Sequence, residues 1–236
     1  ITQDRLPLWS ELRVTNIGTR TAFNIEDYQI LYGYLRNYTK NISDEGEIYN
    51  RKMIRDFILV QSNTGLRFGE CRFLKWHYVS VVKGENKYPN VHIRIPSEIS
   101  KVRKDRTAVG MRGDFFTRIK TYSNHTHSDD YIFSDMQTGK YLDKKVLYKM
   151  WHLIMKESGL EESLNDYTYY CLRHTFATYR LQYGKVDIRT LAKIMGCSVT
   201  YIEQHYDSAR VENMTDYITR GVNEKSKDAF GDVILR

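Results

Sequence analysis

Three short runs of β-forming residues follow one another with no helical stretch between them: 76–83 (Trp-His-Tyr-Val-Ser-Val-Val-Lys), 90–95 (Asn-Val-His-Ile-Arg-Ile) and 106–111 (Arg-Thr-Ala-Val-Gly-Met). Their alternation and clustering of β-formers predict short antiparallel strands and a three-stranded sheet. The rest of the patterned sequence has helical period. Asn24 is an N-cap candidate with Asp27 three residues on, and Tyr28, Ile30, Leu31 and Leu35 carry a helix to about residue 41. Met53, Ile54, Phe57 and Ile58 mark a second helix over about 47–62, ended by Thr64-Gly65, where Gly65 suits a left-handed cap. Further helices are expected over 112–123, 142–157, 169–183, 187–195 and 199–206. Val146, Leu147, Met150, Trp151, Ile154 and Met155 form a clear apolar stripe on the second of these, read as plain core. The expected fold is therefore mainly α with a small three-stranded antiparallel sheet, an α+β domain over 23–206. Residues 1–22 read as a linker or arm, and a polar C-terminal segment covers 207–236.

A chain of 236 residues can bury a full core. Its formal net charge of +7 and pI near 9.1 favour a polyanionic partner, and nucleic acid fits better than membrane because no long apolar run or amphipathic basic helix appears, so neither a membrane span nor a signal peptide is expected. Cys71, Cys171 and Cys197 are odd in number and lack metal-ligand spacing, so they read as reduced thiols in a cytosolic-type compartment. His125 and His127 lie in a polar stretch that reads as a solvated loop rather than a metal site.

The chemistry concentrates in three blocks. Thr64-Gly65-Leu66-Arg67-Phe68-Gly69-Glu70 holds one arginine, and Glu70, three residues on, suits a role in orienting it. Tyr170-Cys171-Leu172-Arg173-His174-Thr175 holds a second, and Gln204-His205-Tyr206 closes the patterned region. Two guanidinium forks suit the charge that develops on the non-bridging oxygens of an attacked phosphodiester, and a tyrosine phenol is a natural covalent nucleophile. Between residues 94 and 120, eight basic residues face three acidic ones, a further polyanion signal.

These blocks, in this order, resemble the catalytic domain of the tyrosine recombinase (phage integrase) family over roughly residues 24–206, a fold related to type IB topoisomerases. The resemblance implies that Arg67 and Arg173 clamp the scissile phosphate, that Tyr206 is the nucleophile and that Lys101 protonates the departing 5′ oxygen, with Lys104 its competitor. Tyr206 is chosen among nineteen tyrosines by its place nine residues after Cys197, at the end of a short helix that Ser198 can cap; Tyr201, Tyr183 and Tyr217 fit worse. Arg103, Lys104, Arg106 and His174 are candidates for the DNA backbone. Two positions depart from the family: Tyr170 stands where His is usual and Cys197 where His or Trp is usual. Both stay in the expected site, Tyr170 as a hydrogen-bond donor, and the base for Tyr206 stays open among the arginines' field, His205 and His174.

The resemblance further implies site-specific DNA recombination or integration through a 3′-phosphotyrosine intermediate, without metal or cofactor. It implies a double-stranded DNA partner, a homotetramer on paired sites with the isolated fragment monomeric, and a place on DNA in the host cytoplasm. The chain lacks an initiator Met, and a smaller core-binding domain is expected to precede it. Two alternatives use the same fold: a DNA-binding module with impaired catalysis, motivated by Tyr170 and Cys197, and topoisomerase-like relaxation.

Overall fold

The computed structural model describes residues 22–84, 88–184 and 186–206, apart from the side chains of 164, 165, 205 and 206. The arm assigned to 1–22 and the segment 207–236 lie outside the described residues, residue 22 excepted. In chain order the elements are α1 (Ile25–Arg36), α2 (Glu45–Thr64), α3 (Phe68–Arg72), β1 (Val79–Val82), β2 (Asn90–Ile95), β3 (Arg106–Met111), α4 (Asp114–Lys120), α5 (Lys144–Glu157), α6 (Tyr169–Gln182), α7 (Ile188–Met195) and α8 (Val199–Tyr206). The strands form one antiparallel sheet in the order β1-β2-β3. No helix among the described residues is long and apolar enough to cross a membrane.

The expected mainly α fold with a three-stranded sheet is the fold observed, and β2 and β3 keep their expected bounds. The first strand is shorter. Trp76–Tyr78 wind into a 3-10 turn because the Trp76 and His77 amides donate to Asp130 and Ser128 carbonyls and the Trp76 indole donates to His125 O at 2.9 Å. Asn24 caps α1 as expected, its side chain accepting from the Asp27 amide at 2.7 Å, but the helix stops at Arg36. α2 runs longer than its periodicity suggests because Asp44 caps it at Glu47 and Gly65, at φ 65°, closes it in the left-handed conformation. α4 is shorter than 112–123, since Arg112 sits at φ 64° and cannot extend it backwards.

The core forms around α2, α5 and α6. Phe57 of α2 meets Tyr169 of α6 edge-on, with ring centroids 5.5 Å apart, and Trp151 of α5 lies 4.6 Å from the same ring. The α5 stripe is buried at Leu147, Trp151, Ile154 and Met155, whereas Val146 is exposed, a correction to the expected face. Val91, Ile93 and Ile95 turn one face of β2 inward. β3 approaches the end of α2 so closely that a Cβ on Gly110 would meet Thr64 Cγ2 at 2.6 Å. A second cluster, Phe176, Ala177, Leu191, Ala192, Met195 and Ile202, joins α6, α7 and α8.

One buried carboxylate fastens α2 to α4. Asp56 has no exposed surface and accepts from Arg118, from Tyr122 Oη at 2.8 Å and from Arg55 Nε at 3.0 Å. Removing it strands these donors, so Asp56→Ala is expected to lower the unfolding free energy by about 3–5 kcal/mol. Urea denaturation reads this directly; an unchanged midpoint would show that the interaction does not hold α2 to α4.

Candidate active site

The site grows from two glycine-closed helix ends. At the end of α2, Gly65 reverses the chain, buries Leu66 and sets Arg67 at the start of α3. A side chain at Gly65 would strike the Phe176 ring at 2.4 Å, so this turn packs directly on α6. At the end of α7, Gly196 adopts φ 63°, and the amides of Gly196 and Cys197 fold back onto the carbonyls of Lys193 and Ala192 at 3.2 and 3.1 Å. The next three carbonyls need donors from elsewhere.

Three arginines supply them. Arg106 Nε donates to Ile194 O at 3.3 Å, Arg173 Nη2 to Met195 O at 2.8 Å and Arg67 Nη2 to Gly196 O at 2.6 Å. Arg173 Nη1 also donates to Gly65 O at 2.6 Å, which links the two helix ends through one guanidinium. Residues 67 and 173, separated by more than a hundred positions, thus meet on one short backbone segment. Cationic groups are favoured here because the carbonyl end of a helix carries negative partial charge.

Glu70 is the shared counter-ion and is 1% exposed. Its carboxylate accepts from the Arg67 amide at 2.9 Å, Arg67 Nη1 at 2.8 Å, and Arg106 Nη1 and Nη2 at 2.9 and 2.6 Å. Burial alone pushes this carboxyl up, but the hydrogen bonds and charge from Arg106, with those from Arg67, outweigh it and hold it below the usual carboxylate range. Glu70 thus pairs with two of the three guanidiniums, Arg173 donates to backbone carbonyls, and the cluster keeps a net positive charge. Arg173 is 1% exposed, and its Nε is a buried donor with no partner among the described residues. A buried donor of this kind calls for an explanation.

Cys197 lies in the same field. Burial raises its thiol, against the opposing charges of Arg173, Arg67 and Arg106 and a side-chain hydrogen bond from Arg173. Tyr170, one turn before Arg173 on α6, has its hydroxyl 2.9 Å from that of Tyr201 on α8, and its ring meets His174 edge-on at 4.8 Å. Burial, reinforced by the bond to Tyr170, pushes the Tyr201 phenol up to about 12. Tyr206 ends α8, whose first turn is capped as expected by Ser198 Oγ accepting from the Tyr201 amide at 3.1 Å. The Tyr206 and His205 side chains lie outside the described residues.

Other expected site residues are not gathered here. Lys101, Arg103 and Lys104 stand exposed on the turn between β2 and β3, with Arg103 at φ 51°. That turn is tied by Asp105, which accepts from the Ser97 amide at 2.8 Å and pairs with Arg94 at 3.4 Å. Arg106, expected among the DNA-backbone residues, instead points inward to Glu70 and α7, its side chain 10% exposed. Tyr201, weighed in the sequence only as a poorer candidate for the nucleophile, is a site neighbour through its hydroxyl contact with Tyr170, a pairing that no local sequence signal shows.

A model of the phage integrase family matches residues 31–213. Tyrosine recombinase XerC of Caldanaerobacter subterraneus subsp. tengcongensis is 40% identical over 173 residues, which cover 66% of this chain and 43% of that protein. The chain thus spans less than half the length of this curated relative. Among solved structures, XerH site-specific recombinase bound to palindromic difH substrate aligns with TM-score 0.61 and 21% identity, over 83% of this chain and 52% of XerH. The Tn1549 transposon integrase in complex with circular intermediate DNA aligns with TM-score 0.56 and 17% identity, over 87% of this chain and 66% of that one. The catalytic domain of bacteriophage HP1 integrase aligns with TM-score 0.53 and 14% identity, over 90% of this chain and 96% of that domain. At these identities the solved structures establish a shared fold.

Because the folded-state pKa of Glu70 is depressed, its contribution to stability is present above the unfolded value and is lost as pH falls through the folded one. Glu70→Gln is expected to cost about 3–5 kcal/mol at neutral pH, since it removes the charge that two guanidiniums share. Its penalty should shrink as pH is lowered towards 3 in parallel urea titrations. A penalty independent of pH would overturn the assignment of Glu70 as the ionised counter-ion.

Proposed function

The chain belongs to the phage integrase family, and from that premise we propose that residues 23–206 are the catalytic domain of a tyrosine site-specific recombinase acting on double-stranded DNA. The observation that carries this reading is the meeting of Arg67 and Arg173 on the carbonyl end of α7, with the buried Nε of Arg173 lacking a partner among the described residues. A scissile phosphate fits that demand. Its two non-bridging oxygens gain negative charge as the phosphorus becomes five-coordinate, and fixed guanidinium donors stabilise that charge more than the ground state.

In the proposed reaction the Tyr206 phenol gives its proton to a base, His205 or His174, or to solvent in the arginines' field, its oxygen attacks phosphorus in line, a Tyr–O–P bond forms, and the bond from phosphorus to the 5′ oxygen breaks. Lys101 gives its proton to the departing 5′ oxygen, which requires the exposed 96–105 turn to close on DNA. A 5′ hydroxyl from the partner duplex then attacks the phosphotyrosine and releases Tyr206. The bond energy is conserved in the ester, so the two steps balance without a nucleotide cofactor. Arg103 and Lys104, exposed on the same turn, suit the DNA backbone. The reading extends to a homotetramer on paired sites and to the host cytoplasm, with residues 1–22 as a linker from a core-binding domain and 207–236 docking onto a neighbouring protomer.

A pool of nicked duplexes with randomised flanks tests this, since cleavage beside a nick releases a short strand and traps the covalent adduct. The protein should yield adducts stable in denaturing gels, enriched for one DNA sequence, with the linked peptide containing Tyr206. Tyr206→Phe should abolish capture and leave DNA affinity unchanged. Absence of adduct from the wild-type protein would favour a catalytically inert DNA-binding module, and adduct on another residue would reassign the nucleophile.

The Cys197 thiol, a poor hydrogen-bond donor, occupies the same field as the three arginines. Cys197→His should speed single-turnover cleavage by up to about 10²-fold by adding an imidazole donor to the phosphate. An unchanged rate at saturating DNA would mean that the position only packs.

A further inference from the structure

We propose that Arg106 is a positioning residue of the arginine cluster: through Glu70 it fixes the direction of Arg67, and through Ile194 it fastens the strand after the Lys101 turn to the end of α7. The proposal rests on the recombinase reading and adds to it a part that neither the family match nor the fold assigns. The geometry begins with a fork. Both terminal nitrogens of Arg106 meet both oxygens of Glu70, at 2.9 and 2.6 Å, an arrangement that fixes the plane of the carboxylate as well as its position. The other lone-pair positions of that carboxylate are taken by the Arg67 amide and Nη1, so its capacity of about four hydrogen bonds is filled. Glu70 cannot turn without breaking bonds to both arginines, and the bearing of Arg67 follows from the bearing of Arg106.

The second attachment makes Arg106 a link between elements. Its Nε reaches Ile194 O at 3.3 Å, and the side chain runs so close to Gly196 that a Cβ there would meet its Cδ and Nε, each at 2.7 Å. Arg106 is also the first residue of β3, five positions after Lys101. The exposed turn that carries Lys101 is therefore moored, at its C-terminal end, to the carboxylate that aims Arg67 and to the helix end on which Arg173 rests. A side chain committed to these bonds and only 10% exposed is poorly placed to follow a DNA phosphate at the same time. A lysine in its place would keep the charge and lose the fork.

Arg106→Gln and Arg106→Lys, compared with wild type in the nicked-duplex assay at saturating DNA, test the proposal. Arg106→Gln should slow single-turnover cleavage by about 10²-fold, the scale of a small misalignment of reacting groups, with Kd and its salt slope unchanged. It should also create an acid limb in the rate, because Glu70 then keeps the upward push of burial without its main counter-charge. Arg106→Lys should fall between the other two in rate, and it decides the matter if the glutamine variant does not fold. A salt slope reduced by about one unit with the saturated rate intact would instead make Arg106 a backbone contact and overturn the proposal. So would wild-type rates in Arg106→Lys, or an unaltered pH profile in a folded Arg106→Gln. Wild-type protein that forms no adduct would overturn the recombinase reading and the proposal with it, whereas wild-type cleavage matched by the variants would overturn the proposal alone.

Discussion

The carbonyl end of α7 is the interaction on which the site depends. A helix leaves its last carbonyls without intrahelical donors, and a buried end must find them elsewhere. Here two successive amides satisfy Ala192 and Lys193, and three arginines from three other elements satisfy Ile194, Met195 and Gly196. The need for donors and the need for clustered positive charge are met by the same side chains. Each guanidinium gains a fixed acceptor, and three like charges are held together where the helix supplies compensating negative potential.

What positions those side chains is rigid structure rather than loop. Arg173 sits on α6, beside the Phe176 ring against which the Gly65 turn is packed. Arg106 starts β3, and that strand lies so near α2 that only glycine fits at 110. Arg67 follows immediately after α2 ends, at the start of α3. The aromatic core around Phe57, Trp151 and Tyr169 fixes α2 against α6, and with it the spacing of the Gly65 and Arg173 partners. Small displacements within this frame would change several charge-assisted bonds together, and preorganisation of this kind is what electrostatic catalysis requires.

Much of this was legible in the residue order. β2 and β3 could be bounded correctly because alternation is local, and Gly65 could be read as a cap because only a left-handed residue ends a helix in that way. Arg67, Glu70 and Arg173 were legible as motifs. The role of Arg106 was not, because a basic residue in a charged stretch looks solvated, and its partner is thirty-six positions upstream in another element. Trp76 reads as strand for a similar reason: the carbonyls that draw 76–78 into a 3-10 turn come from 125–130. The α3 helix, at five residues, is too short to show a period. What escaped the sequence are pairings between distant segments, which no local pattern encodes.

The ratio of charges in the cluster is itself informative. Two guanidiniums about 4 Å apart repel by roughly 4 kcal/mol at an effective dielectric near 20, so three cannot be packed together without compensation. A second buried carboxylate would remove that repulsion but would also cancel the field that a phosphate needs. The observed arrangement lies between these limits, with Glu70 filled to its hydrogen-bonding capacity and backbone carbonyls, which carry no net charge, accepting from each of the three arginines. Carbonyl acceptors orient arginines without neutralising them. A centre built this way stays electropositive, and the buried Nε of Arg173 has no partner among the described residues.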